Sequence, residues 1–379
     1  MTATATTAAG PAALASSAVR QIAPYVIGKP IDELARELGV TDILKLASNE
    51  NPLGPSPRAI QAMRDSLQDI WLYPDGNGHD LKLALARWHG VEMSQVTLGN
   101  GSNDLLVLLA EAFLTPGTNA VYSEHAFAIY GIAVQATGAT ARVPRAYPPG
   151  HAMAFGHDLE AMAAAVDADT RLVYIANPNN PTGTWNTGPA LQDFLRRVPA
   201  TTVVVLDEAY HEYSQLVDCP DATKWLKDHP NLVVLRTFSK AHGLAGVRVG
   251  YGLSHPQVAD LLNRVRQPFN VCIPGLAGAT ASVGDAEQVQ RAQRLVRDGL
   301  AQLLSALPSL GVRVHPTAGN FILADVGPDG TAVYERLLRE GVIVRPVAGY
   351  GLPHCVRITI GTAPQNERLI GALSRVLGK

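Results

Sequence analysis

The chain has 379 residues, of which 47% are hydrophobic, and a formal net charge of −2 at pH 7. The near-neutral charge, without basic runs, argues against a nucleic-acid surface, and no stretch approaches the roughly 18 uncharged apolar residues that a membrane helix requires. These values indicate a soluble globular protein, large enough for one elaborate domain or for a large and a smaller one, with small molecules as partners.

The chain begins with a segment that we expect to lack a fold of its own. Residues 1–19 are rich in Ala, Thr and Ser but have neither a basic n-region nor a sustained apolar core. They therefore indicate a disordered tail and not a signal peptide. Residues 20–45 follow as an N-terminal arm, which we predict to join a smaller domain formed by the C-terminal part of the chain.

Residues 46–272 are predicted to form a large α/β domain. Short apolar runs alternate there with helical periodicity, and most of the runs are apolar on both faces, as in a buried parallel sheet. This pattern predicts an open, mainly parallel sheet covered by helices, with ligands at the carboxyl ends of the strands. The strand-like runs are VTLG (96–99), NAVYS (119–123), TARV (140–143), LVYIAN (172–177), TVVVLDE (202–208), LVVLRTF (232–238) and VRVGYG (247–252).

Residues 273–379 have a different pattern and are predicted to form the smaller α+β domain. A long helix is expected at 285–306, a second one near 331–340 and a third from about Pro364. The strand-like runs in this part are NFILADV, GVIVRPV and CVRITIG.

The cysteines suggest neither a disulfide framework nor a metal site. Cys219, Cys272 and Cys355 lie far apart in the chain, are odd in number and form no CxxC pair. This usage fits a reducing cytosol, so we expect a cytoplasmic protein without a bound metal.

Polar residues follow three of the predicted strands, at the ends where ligands are expected. These strands end, in order, in NPNNPTG (177–183), DEAY (207–210) and TFSK (237–240). An aldehyde cofactor held as a Schiff base needs an amine, an acid partner for a ring nitrogen, a hydrogen bond to a ring hydroxyl and an anion site. Lys240 can supply the amine, Asp207 can keep a pyridinium protonated, and Asn180 with Tyr210 can bond the ring hydroxyl.

The anion site has its own candidates. Arg248 and Ser239 suit a phosphate, and the turn that contains Gly101, Ser102 and Asn103 opens the helical run LLVLLAEAF. Free backbone N–H groups at the start of a helix attract anions. Each feature also has an ordinary explanation as a surface lysine, a helix cap or a turn, so it is their ordered combination that points to chemistry.

These motifs, in this order and spacing, resemble those of the class II, fold type I pyridoxal-phosphate aminotransferases, and among them the members that act on histidinol phosphate. The resemblance spans about residues 20 to 379. It also includes ASNENPLGPSP (47–57), YPDG (73–76) and RITIGT (357–362), as well as SKAHGLAGVRVGY (239–251).

The resemblance implies a role for each matching residue. Lys240 would form the Schiff base with pyridoxal 5'-phosphate, with Asp207 at the pyridine nitrogen and Tyr210 and Asn180 at the ring hydroxyl; the first three would be the catalytic residues. The cofactor phosphate would be held by Gly101, Ser102, Asn103, Ser239 and Arg248. Family members are homodimers with shared active sites, so Tyr73 would reach the phosphate bound to the neighbouring subunit.

Five further residues are expected at the ring face and at the substrate. Many relatives place a tyrosine over the cofactor ring, but the corresponding stretch HAFAIY (125–130) has Phe127 there, with Tyr130 three residues later. Phe127 can stack without a hydroxyl. Arg357 and Asn49 are implied near the substrate, and the substrate-binding candidates are completed by Arg345 and Tyr25.

The implied reaction is the exchange of an amino group between L-histidinol phosphate and 2-oxoglutarate, giving imidazole acetol phosphate and L-glutamate, in histidine biosynthesis. Three alternatives stay open on the sequence. The enzyme could act on the aromatic amino acids phenylalanine and tyrosine, it could be a phosphothreonine decarboxylase-like enzyme, or the fold could serve as a non-catalytic ligand sensor.

Overall fold

The computed structural model describes residues 10–216 and 218–379. Of the predicted tail, residues 1–9 lie outside the described residues. In the described part of the N-terminal segment, Pro11–Leu14 form a 3-10 turn and Ser17–Arg20 form a short helix, α1. The side chain of Ser16 accepts a hydrogen bond from the backbone N–H of Val19 and so caps this helix.

Strands and helices alternate along most of the described chain. The strands are β1 (Leu44–Lys45), β2 (Val96–Gly99), β3 (Asn119–Tyr122), β4 (Thr140–Arg142), β5 (Thr170–Ala176), β6 (Val203–Asp207), β7 (Leu232–Thr237), β8 (Gly250–Ser254), β9 (Arg313–Val314), β10 (Phe321–Asp325), β11 (Val342–Ile343), β12 (Arg345–Pro346) and β13 (Cys355–Thr359). After α1 the helices are α2 (Ile31–Leu38), α3 (Pro57–Ser66), α4 (His79–His89), α5 (Ser102–Phe113), α6 (Ala128–Ala136), α7 (Leu159–Ala164), α8 (Gly188–Arg197), α9 (Pro256–Val265), α10 (Ile273–Ser282), α11 (Ala286–Ala306), α12 (Gly330–Arg339) and α13 (Ala363–Leu377). None of these described helices combines the length and the apolar character needed to cross a membrane.

The central sheet confirms the predicted fold class. Its seven strands have the order β2-β8-β7-β6-β5-β3-β4, and β8 runs antiparallel to its neighbours while the other six share one direction. The predicted strand at 247–252 begins only at Gly250. Ala245–Val247 form a 3-10 turn, and Arg248 has a left-handed backbone with φ of 57°, so the extended conformation cannot start earlier.

Both faces of the central sheet are buried. Along β6, Val204 and Leu206 pack into one apolar core with α4, α7, α8 and α10, whereas Val203 and Val205 pack into a second core with α5, α6 and α9. Alternate side chains of a strand point to opposite faces, so a strand covered on both sides must be apolar throughout. Burying each valine contributes on the order of 2 kcal/mol.

The C-terminal part forms a second, smaller core. The antiparallel sheet β12-β13-β10-β9 packs against α11, α12 and α13. The N-terminal segment joins this part through β1, which pairs in parallel with β11. The backbone N–H of Thr359 then donates to the carbonyl of Leu46 at 2.9 Å, so the following residues run beside β13 to Asn49, where φ is 56°.

Candidate active site

A cavity of about 250 Å³ lies at the carboxyl ends of β5, β6 and β7. This is the edge of the sheet at which ligands were expected. Every predicted site residue except Gly101 and Tyr73 lines it. The predicted lining residues are Tyr25, Asn49, Ser102, Asn103, Phe127, Asn180, Asp207, Tyr210, Ser239, Lys240, Arg248, Arg345 and Arg357.

Several lining residues were not foreseen from the sequence. Most of them lie inside the quoted motifs but were given no role there, because short side chains and proline rings carry little chemical signal. They are Gly28, Ala47, Ser48, Ala176, Pro178, Ala209 and Thr237. Ser48 matters through its main chain, because its carbonyl oxygen accepts a hydrogen bond from Lys240.

Lys240 follows the end of β7 and points into the cavity. Its Nζ atom donates to the carbonyl oxygen of Ser48 at 3.1 Å and lies 5.5 Å from the centre of the Tyr210 ring. Burial, followed by the positive charge of Arg357, lowers the pKa of Lys240 to about 8. A larger fraction of this amine than of a surface lysine is therefore uncharged near neutral pH, and the uncharged amine is the form that attacks carbonyl carbons and accepts protons.

Asp207 ends β6 and is buried, with 6% of its surface exposed. Its Oδ2 atom accepts a hydrogen bond from the hydroxyl of Tyr130 at 2.9 Å, and Oδ1 accepts one from the backbone N–H of Ala209 at 3.3 Å. Burial raises the pKa of Asp207, and the hydrogen bond from Tyr130 opposes that rise. The sequence had marked Tyr130 only as an aromatic residue after Phe127 and did not indicate this contact.

Tyr210 and Asn180 are held by neighbours from other parts of the chain. The Tyr210 hydroxyl accepts a hydrogen bond from Asn49 Nδ2 at 2.9 Å, so the Asn49 amide is engaged with the phenol. Arg357 Nη1 donates to Asn180 Oδ1 at 2.5 Å. Burial raises the pKa of Tyr210, whereas the positive charge of Arg357 and the Asn49 hydrogen bond lower it. The phenol is thus a protonated donor facing the cavity at neutral pH.

The start of α5 at Ser102, together with Ser239 and Arg248, forms a concave surface that we call the anion cup. Arg248 Nη1 donates to Ser239 Oγ at 3.3 Å and to the carbonyl of Ala245 at 3.0 Å. Gly101 precedes the helix with φ of 80°, and a Cβ atom there would lie 2.4 Å from Arg248 Nη2. Only glycine lets the arginine approach the helix start this closely. Backbone N–H groups, a hydroxyl and a guanidinium therefore surround one point, as an anion site requires.

Tyr25 and Phe127 close the cavity on another side. The Tyr25 ring lies 6.3 Å from the Phe127 ring in an edge-on arrangement and 5.4 Å from the guanidinium of Arg345. Arg345 Nη2 also donates to the carbonyl of Val26 at 2.6 Å, which ties the N-terminal arm to β12. The arm thereby contacts both an aromatic ring that can stack and an arginine that can bind an anion.

Tyr73 lies away from the cavity of its own chain. Its side chain is 82% exposed and stacks on Phe269, with the ring centres 4.7 Å apart. The neighbouring Ile70, Trp71 and Leu72 are exposed as well. Aromatic and aliphatic side chains grouped on one surface in this way are typical of a contact with another protein molecule.

The donor set fits pyridoxal phosphate. An amine, a buried carboxylate, a phenol and an anion cup open onto one cavity, and the Cβ-free position at Gly101 leaves the cup accessible. In such a site the amine can carry the aldehyde, the carboxylate can face the ring nitrogen and the cup can hold the phosphate. The individual residue roles remain predictions.

Comparison with known proteins gives the same assignment. The family model "Aminotransferase class I and II" matches residues 41–373. Histidinol-phosphate aminotransferase 2 of Pseudomonas aeruginosa is 56% identical over 367 residues, covering 96% of this chain and 98% of that protein. Its namesake in Pseudomonas fluorescens is 56% identical over 369 residues, covering 97% and 98%. The crystal structure of histidinol-phosphate aminotransferase from Sinorhizobium meliloti in complex with pyridoxal-5'-phosphate has a TM-score of 0.87 at 31% identity, covering 96% of this chain and 97% of that one.

Proposed function

The chain belongs to the aminotransferase class I and II family, and on that premise we propose that it transfers the amino group of L-histidinol phosphate to 2-oxoglutarate. The products are imidazole acetol phosphate and L-glutamate, and the reaction is a step of histidine biosynthesis. The enzyme depends on pyridoxal phosphate, as its family and the cofactor complex of its structural neighbour indicate. Relatives of about half identity or more that carry the histidinol-phosphate name favour this substrate over aromatic amino acids, phosphothreonine decarboxylation or a sensor role.

The observation that carries the substrate assignment is a pair of arginines at the cavity. Arg345 on β12 lies directly opposite Arg357 on β13, and both are at least nine-tenths buried. Like charges opposite each other on paired strands are unfavourable, and among the described residues the two arginines donate to the carbonyls of Val26 and Ala47 and to the Asn180 side chain, not to a carboxylate. A phosphate on one substrate and a carboxylate on the other would each relieve this repulsion.

In this proposal, different residues of the cavity carry out different parts of the reaction. Pyridoxal phosphate, when bound, supplies an aldehyde and an electron-withdrawing pyridinium ring. The proposal gives Lys240 Nζ the task of removing the proton from the amine-bearing carbon of the donor and of returning it. Asp207 keeps the ring nitrogen protonated, and Tyr210 and Asn180 hold the ring hydroxyl. Because the two substrates use the same cavity in turn, the first product should leave before the second substrate binds, so the kinetics should be ping-pong.

We also propose that the enzyme is a homodimer with shared sites. The exposed group of Ile70, Trp71, Leu72, Tyr73 and Phe269 supports this, because a second copy of the chain would remove it from water. In that arrangement Tyr73 of each subunit would reach the anion cup of the other subunit.

A cytoplasmic location belongs to the same proposal. The three cysteines, Cys219, Cys272 and Cys355, are free in the structure. Unpaired thiols are typical of a reducing compartment, so the cysteine chemistry supports this location.

The test compares histidinol phosphate with histidinol, phenylalanine, tyrosine and phosphothreonine as substrates, with 2-oxoglutarate as amino acceptor. We expect histidinol phosphate to have the highest kcat/KM, with histidinol weaker by about tenfold or more because it lacks charged hydrogen bonds to the arginines. Equal or faster turnover of phenylalanine or tyrosine would replace the proposal by the aromatic alternative, and carbon dioxide release from phosphothreonine would replace it by the decarboxylase.

The arginine pair is tested in the same assay. Arg345→Gln should lower kcat/KM for histidinol phosphate by about tenfold to a hundredfold and change it much less for histidinol. Arg313→Gln is the matched control, since Arg313 is an exposed arginine on β9 of the same sheet. Equal losses for both substrates would mean that Arg345 supports the fold or the arm and does not bind the phosphate.

A further inference from the structure

Tyr130 is a buried side chain to which the reaction described so far gives no task. It lies in the first turn of α6, which packs on the central sheet, and none of its surface is exposed. Its hydroxyl donates to Asp207 Oδ2 at 2.9 Å. This hydroxyl is therefore the side-chain partner of the carboxylate that faces the cofactor ring.

The ring of Tyr130 is fixed by its aromatic neighbours. It stacks on Tyr174 with the ring centres 4.9 Å apart and an angle of 6° between the planes. It meets the edge of Phe127 at 6.0 Å and 90°. Tyr174 is anchored in turn, because its hydroxyl donates to the carbonyl of Leu106 at 3.1 Å. The hydroxyl of Tyr130 consequently has little freedom to leave Asp207.

The hydrogen bond from Tyr130 affects the protonation of Asp207. The titratable groups that face the carboxylate are Tyr130 from α6, Tyr210 from the segment after β6 and Lys240 from the segment after β7. Burial favours the protonated acid, and the Tyr130 hydrogen bond is the leading influence in the opposite direction. Burial and the adjacent Asp207 hold the pKa of Tyr130 well above its usual value, so the phenol stays a donor at every working pH.

We propose that Tyr130 is a positioning residue for the transamination: its hydroxyl holds the Asp207 carboxylate ionised and in one orientation towards the ring nitrogen of the cofactor. The inference rests on the proposed role of Asp207 and is independent of which amine the enzyme uses. A carboxylate that loses this donor would keep, within the described part of the chain, only the backbone N–H of Ala209 and would protonate at higher pH.

The test uses the affinity of the protein for pyridoxal phosphate as a function of pH, which needs no substrate. In Tyr130→Phe only the hydroxyl is removed, and we expect the affinity at neutral pH to fall by about tenfold, as for the loss of one hydrogen bond to a charged group. The acid limb of the affinity profile should move to higher pH, because an Asp207 with a raised pKa becomes neutral earlier as the pH falls. The visible spectrum of the holoenzyme should show the same displacement.

Tyr174→Phe is the matched control. It removes a buried hydroxyl from the ring stacked on Tyr130 and breaks a comparable hydrogen bond, but it leaves Asp207 untouched. We expect a similar loss of thermal stability with an unchanged acid limb. If both variants leave the limb where it is in the wild type, or shift it equally, Tyr130 is only a packing residue and the inference is wrong.

Two further measurements keep the test decisive. In an Asp207→Asn background, Tyr130→Phe should no longer change the cofactor affinity; an undiminished effect would contradict coupling through Asp207. If Tyr130→Phe does not fold, 3-fluorotyrosine inserted at position 130 keeps the ring and offers a more acidic hydroxyl. That stronger donor should move the acid limb to lower pH, and an unmoved limb would overturn the inference.

Discussion

Lys240 shows at the scale of one residue how burial prepares a side chain for chemistry. Its amine lies among neutral oxygen and aromatic atoms, close to the positive charge of Arg357 and without a carboxylate partner among the described residues. A lysine on the surface would remain charged at neutral pH. Here the pKa is about 8, so a change of one or two pH units alters the fraction of free amine.

Replacement of Lys240 tests whether its amine carries out the proton transfer. Lys240→Ala should reduce transamination by several orders of magnitude, because no second lysine among the described residues lines the cavity to take up the proton. The variant should still bind pyridoxal phosphate, since the anion cup and the groups around the ring remain. Turnover is measured with histidinol phosphate and 2-oxoglutarate, and bound cofactor by its absorbance after gel filtration.

Lys227→Ala is the control for this substitution, because Lys227 is an exposed lysine outside the cavity. It should match the wild type in both measurements. Near-normal turnover of Lys240→Ala would remove the basis of the whole site assignment, whereas a variant that neither turns over nor binds cofactor would point to misfolding.

Single residues also show where prediction from sequence ends. Lys240 and Asp207 could be placed because each follows a buried strand of a parallel sheet, and the carboxyl ends of such strands meet at one edge. The task proposed for Tyr130 could not be found in this way. It depends on the distance across which α6 packs on the sheet and on the rotation of the helix, and nothing in the stretch HAFAIY specifies either.

At the scale of elements, the anion cup is built by two tight backbone conformations. Gly101 brings the start of α5 against the guanidinium of Arg248, and Arg248 is itself in the left-handed region. The sequence run VRVGYG alternates like a strand, which is why 247–249 was predicted to be extended. The hydrogen bond from Arg248 to Ser239, nine residues earlier, opposes the local preference for an extended backbone. The alternation of residue types along the chain carries no information about such a contact.

Gly101→Ala tests the cup. Alanine at φ of 80° costs about 1 kcal/mol of stability, and its Cβ would also displace the Arg248 guanidinium. We therefore expect the affinity for pyridoxal phosphate to fall by at least about tenfold, the loss of one charge-assisted hydrogen bond. Fluorescence titration measures the affinity and thermal unfolding the stability.

Gly117→Ala separates strain from function. Gly117 also has a left-handed backbone, with φ of 94°, but a Cβ atom there would meet nothing within 4 Å. Its replacement should cost similar stability and leave cofactor affinity unchanged. If the two variants lose affinity alike, the requirement for glycine at position 101 reflects folding alone and the cup assignment fails.

On the scale of the whole molecule, the sequence predicts the types of the elements better than their partners. The mainly parallel sheet follows from two-sided apolar runs, and the long helix predicted at 285–306 is present as α11. The pairing of β1 with β11 joins segments that are about 300 residues apart, and two-residue strands carry no periodicity from which a register could be inferred. That pairing nevertheless positions Asn49 beside Tyr210 in the active site.

The proposed dimer predicts a role for Tyr73 in the active site of the neighbouring subunit. A tyrosine that is 82% exposed and stacked on a phenylalanine that is 44% exposed has little reason to lie in water unless another molecule covers it. If Tyr73 completes the anion cup of the neighbouring subunit, a Tyr73→Ala variant that binds cofactor poorly and an inactive Lys240→Ala variant should rescue each other.

Random exchange of equal amounts of the two variants makes half of the dimers mixed, and one of the two sites in each mixed dimer receives both intact residues. Activity should therefore recover to about a quarter of the wild type. Mass spectrometry verifies that mixed dimers form, and mixed dimers no more active than the two parents would show that each site is built within one chain, which would remove Tyr73 from it.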